Sequence, residues 1–346
     1  MKRRSMKRKM ITGTLIMAMA FSALLSGCGK GSGADDDGGM ELLNVSYDPT
    51  REFYAKYNEL FCEYWKDKTG EEITVTQSHG GSGSQARSVI EGNEADVVTL
   101  ALAHDITAIE EAGLIESGWI GEFDGNSAPY TSTIVFLVRK GNEKGIQDWD
   151  DLVKDGVEVI TPNPKTSGGA CWNFLAAWAY ELKQSGGDEE AAKAFMKKLY
   201  ENVLVLDSGA RGATNTFVEN GQGDVLIAWE NEAYLSMEQH PGEYEIVTPS
   251  ISILAEPSVA VVDSNAKDHG TEELSKAYLE YLYSADAQRL AGENYYRPSD
   301  QEILKEFSDQ FNLDMDLVTI DDFGGWNAAY DAYFNDGAVF DQIYGG

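Results

Sequence analysis

Short apolar runs alternate with longer amphipathic segments from about residue 41 onward. "LLNVSYD" and "ITVTQ" have the alternation typical of strands, whereas hydrophobic residues between Phe53 and Trp65 recur at helical spacing in a segment that ends at Gly70. "ADVVTLAL" is apolar almost throughout, as strands buried on both faces of a parallel sheet are. Strands that alternate with helices predict an α/β fold with mainly parallel sheets.

The same alternation continues through "VEVITPNP", "VLVLDSGARG" and "DVLIAWENEA". After the apolar run, "DITAIEEAG" predicts a helix that opens at Asp105, because aspartate is a preferred N-cap. A chain of 346 residues exceeds the usual size of one domain, so two lobes are expected.

Four predicted strand-to-helix junctions are rich in Gly, Ser, Asp or Pro, at residues 46–50, 77–85, 162–170 and 207–215. In open α/β sheets, ligands bind beyond the carboxyl ends of the strands, where the first helical N–H groups lack partners and favour negative charge. Glycine lets a ligand approach that backbone closely. The same residue types also serve as caps and turns, so composition alone leaves open both an anion site and a purely structural role.

The first 28 residues have the pattern of an export signal: six Lys or Arg, an apolar run from Ile11 to Leu25, and small residues up to Cys28. The apolar run of 15 residues is shorter than the roughly 20 residues that span a bilayer. We predict a signal peptide over residues 1–27 and a flexible tether over 28–40. The remaining chain has 21 Lys or Arg against 58 Asp or Glu, a formal charge of −37.

This acidic composition argues against nucleic acid as a partner, because binding it requires cations that neutralise phosphates. Cys62 and Cys171 lie in helical patterns and are predicted to be free thiols. The four histidines show no metal-ligand spacing, and neither a G-x-S-x-G elbow nor a Walker A sequence occurs. We therefore expect no metal, no cofactor and no enzymatic activity.

"LLNVSYDPTRE", "QSHGGSGSQA", "NPKTSGGA", "LDSGARGATNTF" and "GDVLIAWENEA" occur in this order along the chain. In order and spacing they resemble the sulfate-binding proteins of bacterial ABC importers, over nearly all of residues 41–346. "SHGGSG" and "NPKTSGGA" are the motifs most specific to that family. "LSGC" at residues 25–28 resembles a lipobox, whose cysteine becomes the lipidated N-terminus. The resemblance implies an extracytoplasmic protein anchored through Cys28 to the outer face of the cell membrane, or a periplasmic one.

The resemblance also implies a two-lobed periplasmic-binding-protein fold of type II, with sheets flanked by helices and the ligand in the cleft between lobes. Residues 41–127 would form the first part of lobe one, 128–255 lobe two, and 256–346 the second part of lobe one together with C-terminal helices. The implied partners are sulfate or thiosulfate and the permease subunits of an ABC importer. A monomer is expected.

The ligand contacts implied by the family are uncharged donors: the N–H of Asp48, the Ser82 hydroxyl, donors of Ser167, Gly168 and Gly169, the N–H of Ala210 and the indole N–H of Trp229. Three neighbours are expected to fix loops and partly balance charge: Arg51, His79 and Arg211. A site lined only by donors offers no acceptor for the proton of hydrogen phosphate, which favours sulfate.

The chain departs from the family at Cys171, where relatives usually read "SGGAR", and at Ser84, where "GSGKQ" is common. Both changes remove a positive charge near the implied site. Either they are neutral in effect, or they weaken affinity or alter the choice among sulfate, thiosulfate and molybdate-like oxyanions. A surface sensor or adhesin that keeps the fold without transport is a further alternative.

Overall fold

The structure is a computed structural model that describes residues 39–344. The predicted signal peptide, Cys28 and nearly all of the tether lie outside these residues. The strands are β1 (Met40–Tyr47), β2 (Ile73–Gly80), β3 (Val97–Leu100), β4 (Tyr130–Thr131), β5 (Ile134–Arg139), β6 (Val159–Pro162), β7 (Val203–Asp207), β8 (Val225–Trp229), β9 (Tyr244–Val247), β10 (Ile251–Ile253), β11 (Ser258–Val261), β12 (Arg297–Pro298) and β13 (Asp316–Val318).

The α-helices are α1 (Arg51–Thr69), α2 (Ser82–Ile90), α3 (Ala103–Glu111), α4 (Asp124–Ser127), α5 (Gly168–Ser185), α6 (Glu189–Glu201), α7 (Ala210–Val218), α8 (Glu230–Gln239), α9 (Asp263–His269), α10 (Glu272–Tyr281), α11 (Ala285–Glu293), α12 (Gln301–Glu306), α13 (Gly325–Ala329) and α14 (Val339–Tyr344). Short 3-10 helices include Asp48–Thr50, directly before α1, and Trp119–Gly121. Among the described helices, none combines the length and the apolar character needed to cross a bilayer.

Two sheets share one topology. The first has the order β11-β3-β1-β2, with β1 parallel to β2 and β3, and β11 antiparallel to β3. The second has the order β7-β6-β8-β5-β9, with β6 parallel to β7 and β8, and β5 antiparallel to β8 and β9. Each sheet therefore has one strand that runs against the others. The predicted α/β fold with mainly parallel sheets is confirmed.

The chain crosses between the sheets along paired segments. The backbones of Ser132 and Ala255 exchange two N–H···O bonds, each of 2.9 Å. Beside them, β4 pairs with β12 in an antiparallel bridge. Along the chain, Ser132 lies between β3 of the first sheet and β5 of the second, and Ala255 lies between β9 of the second sheet and β11 of the first.

Apolar side chains cover both faces of each sheet, as strands with helices on either side require. On α1 the predicted hydrophobic face is buried at Phe53, Phe61 and Trp65. The helix ends where predicted, at Gly70, whose φ of +80° is a left-handed conformation that glycine adopts without strain. Cys62 and Cys171 are free thiols, as predicted.

The C-terminal segment packs mainly with the second sheet. β13 pairs with β10, and Phe334, Phe340 and Ile343 belong to the core formed by α5 and α6. The C-terminal helices of the chain thus add to the core on the side of the second sheet.

Two predicted boundaries differ from the structure. The helix expected to open at Asp105 is α3, which begins at Ala103 with Leu102 as its N-cap. The Asp105 side chain instead accepts a hydrogen bond from Ser82. In addition, β2 continues to Gly80 and α2 begins at Ser82, so the glycine-rich segment is a tight strand-to-helix turn and not an open loop.

Candidate functional site

The carboxyl ends of strands from both sheets meet at one small pocket, called the cavity below. Its lining comprises Tyr47, Asp48, Pro49, Gly80, Gly81, Ser82, Ala101, Ser167, Gly169, Ala210 and Trp229. All four predicted junctions contribute to this set, and Ala101 and Trp229 add the ends of β3 and β8. Two sequence-distant halves of the chain thus form one site.

Helix N-termini supply backbone donors at this cavity. The residues that precede α2, α5 and α7 are Gly81, Ser167 and Gly209, and none of them caps its helix with a side-chain hydrogen bond. The first N–H groups of a helix have no intrahelical acceptor. Three uncapped helix ends with converging dipoles favour a negatively charged ligand.

Several positions around the cavity must be glycine, because neighbouring atoms lie where a Cβ would be. A Cβ on Gly169 would lie 2.2 Å from Nε1 of Trp229, and one on Gly81 would lie 2.4 Å from the carbonyl oxygen of Thr166. On Gly209 it would lie 2.4 Å from Oδ2 of Asp48. Contacts this short are sterically excluded, so the glycines of the predicted junctions allow backbone from the two sheets to pack within one small cavity.

The indole N–H of Trp229 is a buried donor without an acceptor in the described part of the chain. Its side chain is only 1% exposed, and its ring packs on Tyr47 with centroids 5.4 Å apart. A buried unpaired donor costs free energy, whereas one that meets an ionised acceptor is stabilising. The donor chemistry of this cavity therefore fits an oxyanion.

The two serines of the site are used differently. The Ser82 hydroxyl donates to Oδ2 of Asp105 at 2.5 Å and accepts the N–H of Ala101 at 3.0 Å. Its hydroxyl proton, predicted to face the ligand, is thus donated to Asp105, and its backbone N–H is the first of α2. At Ser167 the backbone N–H donates to the carbonyl of Asn163, which leaves its hydroxyl for a ligand.

The remaining predicted contact, Gly168, lines an adjoining cleft of about 360 Å³. Arg87, His104 and Lys165 line this cleft as well. A Cβ on Gly168 would lie 2.8 Å from that of Ala101, so this glycine also brings α5 against the first sheet.

The charged neighbours are paired with one another. Arg211 makes two hydrogen bonds to Glu52, of 2.8 and 2.9 Å, and two to Glu232, of 2.8 and 3.1 Å. Arg51 approaches the Asp48 carboxylate at 3.8 Å. Burial lowers the pKa of His79 to about 4, so this ring is neutral at pH 7. His79 therefore does not contribute the expected positive charge; its Nδ1 contacts the carbonyl of Tyr47.

The two departures from the family pattern lie close to the site. Cys171 is fully buried on α5, and its Sγ contacts the carbonyl of Pro164 at 3.4 Å. Ser84 on α2 accepts a hydrogen bond from Arg87 at 3.2 Å. Among the described residues, no cluster of three or more His, Cys, Asp or Glu is arranged to hold a metal ion.

A family profile described as "Bacterial extracellular solute-binding protein" matches residues 50–297. The chain belongs to this family. The sulfate-binding protein of Escherichia coli (strain K12) is 60% identical over 306 residues, which cover 88% of this chain and 93% of the relative. The thiosulfate-binding protein of Pseudomonas aeruginosa is 49% identical over 331 residues, covering 95% and 99%. The predicted resemblance is confirmed.

The fold of this solute-binding protein also matches a solved relative. The sulfate-binding protein SubI from Mycobacterium tuberculosis H37Rv superposes with a TM-score of 0.78 and 32% identity, over 86% of this chain and all of the other. The predicted periplasmic-binding-protein fold is thereby confirmed.

Sequence reasoning missed two parts of this site. Ala101 was not predicted, although "ADVVTLAL" ends a strand in the same way as the other junctions. Asp105 was taken as a helix cap, and only the structure places its carboxylate against Ser82.

Proposed function

We propose that this solute-binding protein captures sulfate or thiosulfate outside the cytoplasm and delivers it to the permease subunits of an ABC importer. The observation that carries the proposal is the cavity itself: a buried, unpaired indole N–H and three uncapped helix ends converge on it. The relatives named for sulfate and thiosulfate support the same ligand class.

The proposed donors are Asp48, Ser82, Ser167, Gly168, Gly169, Ala210 and Trp229, by backbone N–H, hydroxyl or indole. All of them line the cavity except Gly168, which lines the adjoining cleft. Arg51, His79 and Arg211 act from outside by holding the loops. An unprotonated tetrahedral dianion can accept from all these donors, whereas hydrogen phosphate would set its proton against a donor. We therefore expect strong preference for sulfate over phosphate.

Titration calorimetry on protein stripped of endogenous anion tests this function. Sodium sulfate and sodium thiosulfate are expected to bind, and sodium phosphate in excess is expected not to displace them. Binding of molybdate alone would favour the alternative ligand class. No binding of any tetrahedral oxyanion would favour a sensor or adhesin role and contradict the proposal.

The proposed lobes follow the two sheets. Residues 41–127 and the part of 256–346 around β11, α10 and α11 would form lobe one, and residues 128–255 with the C-terminal helices would form lobe two. The paired segments at Ser132 and Ala255 would be the hinge, since they connect strands of the first sheet to strands of the second. X-ray scattering with and without sulfate tests closure: the radius of gyration should fall on binding.

We further propose that the mature protein is a monomer attached to the membrane through a lipid on Cys28, and that it catalyses no reaction. Mass spectrometry of the membrane fraction should find a lipidated Cys28 at the N-terminus. A Cys28→Ser variant should be released into the soluble fraction. Retention of this variant at the membrane would contradict the anchor.

A further inference from the structure

The two residues that follow the cavity donor Trp229 are held by two consecutive residues at β12. Glu230 accepts two hydrogen bonds from Arg297, from Nε at 2.7 Å and from Nη2 at 2.9 Å. Asn231 donates its side-chain N–H to the hydroxyl of Tyr296 at 3.0 Å. All four of these residues are at most 4% exposed. The chain directly after Trp229 is therefore fixed by contacts buried inside the protein.

Arg297 is itself held on its other sides. Its Nη2 also donates to the carbonyl of Asn312 at 3.1 Å, and its guanidinium lies 5.4 Å from the ring centre of Phe311. Its backbone pairs with Thr131 in the bridge between β12 and β4, beside the segments that cross between the sheets. Arg297 thus has a fixed position from which it can hold Glu230.

The indole of Trp229 has a narrow range of allowed positions. Its Nε1 lies so close to α5 that a Cβ on Gly169 would be 2.2 Å away. Trp229 ends β8 and the next residue begins α8, so a rotation at this junction would move the indole. The backbone N–H of Glu230 donates to the carbonyl of Thr133 at 2.9 Å, and the side chain is held by Arg297. Both the backbone and the side chain of the residue after Trp229 are thereby fixed.

The contact between Arg297 and Glu230 has the chemistry that sets a direction. A guanidinium that donates through two N–H groups to one carboxylate has a single planar arrangement. The desolvation of two buried charges offsets much of their attraction, so such a pair adds little stability compared with apolar residues of the same volume. Next to a ligand donor, the pair therefore serves geometry more than stability.

We propose that Arg297 is a positioning residue for anion binding, which acts through Glu230 to hold the indole N–H of Trp229 toward the cavity. Arg297 does not line the cavity, so its effect on the anion passes through the end of β8. This inference rests on the proposed function, because it concerns the same oxyanion. If Arg297 acts in this way, its removal should cost no more affinity than removal of the Trp229 donor.

The test is a double-mutant cycle on Arg297→Met and Trp229→Phe, measured by titration calorimetry of the stripped exported chain with sodium sulfate. Alone, Arg297→Met should raise Kd about 5- to 50-fold, which is within the value of one hydrogen bond to a charged group. In the Trp229→Phe background, the same change should raise Kd by less than about twofold.

Two results of this cycle overturn the proposal and leave the proposed function intact. One is parent-like affinity in Arg297→Met. The other is an equal loss of affinity with and without the Trp229 indole, because Arg297 would then act by another route. Absence of sulfate binding by the parent protein overturns the proposed function as well.

The indole N–H resonance of Trp229 in NMR spectra separates positioning from general destabilisation. It is assigned by its absence in Trp229→Phe, and in the parent it should shift on sulfate addition, because the N–H gains a charged acceptor. In Arg297→Met at saturating sulfate the shift should be smaller. A shift equal to that of the parent overturns the proposal.

Arg139→Met is the matched control. The Arg139 guanidinium donates to three backbone carbonyls within residues 217–223, so it also holds chain of the second sheet. It lies at the end of β5 opposite to the end that pairs with Trp229. Its loss should lower the free energy of unfolding and leave both Kd and the Trp229 resonance as in the parent.

A second variant covers the case in which Arg297→Met does not fold, since that change leaves the buried Glu230 carboxylate without a cation. In Glu230→Leu/Arg297→Met, apolar side chains replace both charges, which buried sites tolerate better than one unpaired charge. This variant should show the same rise in Kd, no further loss in the Trp229→Phe background, and the same smaller shift. Parent-like Kd here overturns the proposal.

Discussion

The anion cavity and the cluster of Arg211, Glu52 and Glu232 are neighbours, since Glu232 lines a small pocket with Ala210 and Trp229, but they handle charge in opposite ways. In the cavity, donors are uncharged and at least one, the Trp229 indole, is buried without an acceptor. In the cluster, the guanidinium is fully engaged by two carboxylates. Unpaired neutral donors are therefore available to a ligand, whereas the paired charges are not.

This difference explains how a chain of formal charge −31 can be proposed to bind a dianion. Most carboxylates act over distances beyond the roughly 8 Å Debye length at physiological salt, so their repulsion is weak at the site. Helix N-termini and the indole act at contact distance. The paired Arg211 holds α7 against α1 and thereby keeps the donors in position.

The largest effect is expected for Gly169→Ala. The new Cβ would lie 2.2 Å from Nε1 of Trp229, so either the ring or the start of α5 must move. We expect sulfate affinity to fall by about 150- to 20,000-fold, since both donors are displaced and each bond is worth about 1.5–3 kcal/mol. Calorimetry measures the loss. Gly121→Ala is the control, because a Cβ there meets no atom within 4 Å, and its affinity should match the parent. Parent-like affinity in Gly169→Ala would contradict the cavity as the site.

A smaller effect is expected for Trp229→Phe. This change removes the indole N–H and keeps an aromatic ring, so Kd should rise about 10- to 150-fold, the value of one hydrogen bond to a charged group. Trp178→Phe is matched to it, because that indole N–H is also buried and unpaired in the described structure but does not line the cavity. Equal losses of affinity in both variants would show that the Trp229 donor has no specific role.

The smallest effect on binding is expected for Arg211→Met, which should raise Kd by less than about tenfold because Arg211 does not line the cavity. Stability should change more: Glu232, whose side chain is 2% exposed, would lose its cation, at a cost of about 3–5 kcal/mol in the free energy of unfolding. Chemical denaturation measures this cost. Arg289→Met breaks the exposed pair with Glu306 and should leave the free energy of unfolding almost unchanged. If Arg211→Met lost affinity as strongly as Trp229→Phe, the contrast between the two regions would not hold.

The predictable part of this protein was local. The sequence predicts helix α1. The spacing of its hydrophobic residues gives the buried face, and Gly70 gives the left-handed end of the helix. The four junctions were recognisable because small residues and strand ends recur together. The junction predicted at residues 77–85 is shorter in the structure. Strand β2 continues to Gly80 and helix α2 begins at Ser82, because their hydrogen bonding extends closer to Gly81 than the residue propensities indicate.

The sequence by itself determined the fold class, the candidate donors and the family, because these depend on spacing along the chain and on motifs read in order. Only the tertiary structure decided how the donors are used. It decided which hydroxyl donates its proton to Asp105, which guanidinium is already paired with carboxylates, and which glycines lie in close contact with backbone or with an indole ring. Such choices depend on atoms that are more than 20 residues apart in the chain and within 3 Å in space, as Ser82 and Asp105 are at 2.5 Å. Proton donation and steric exclusion act over that distance, so they follow from packing and not from pattern.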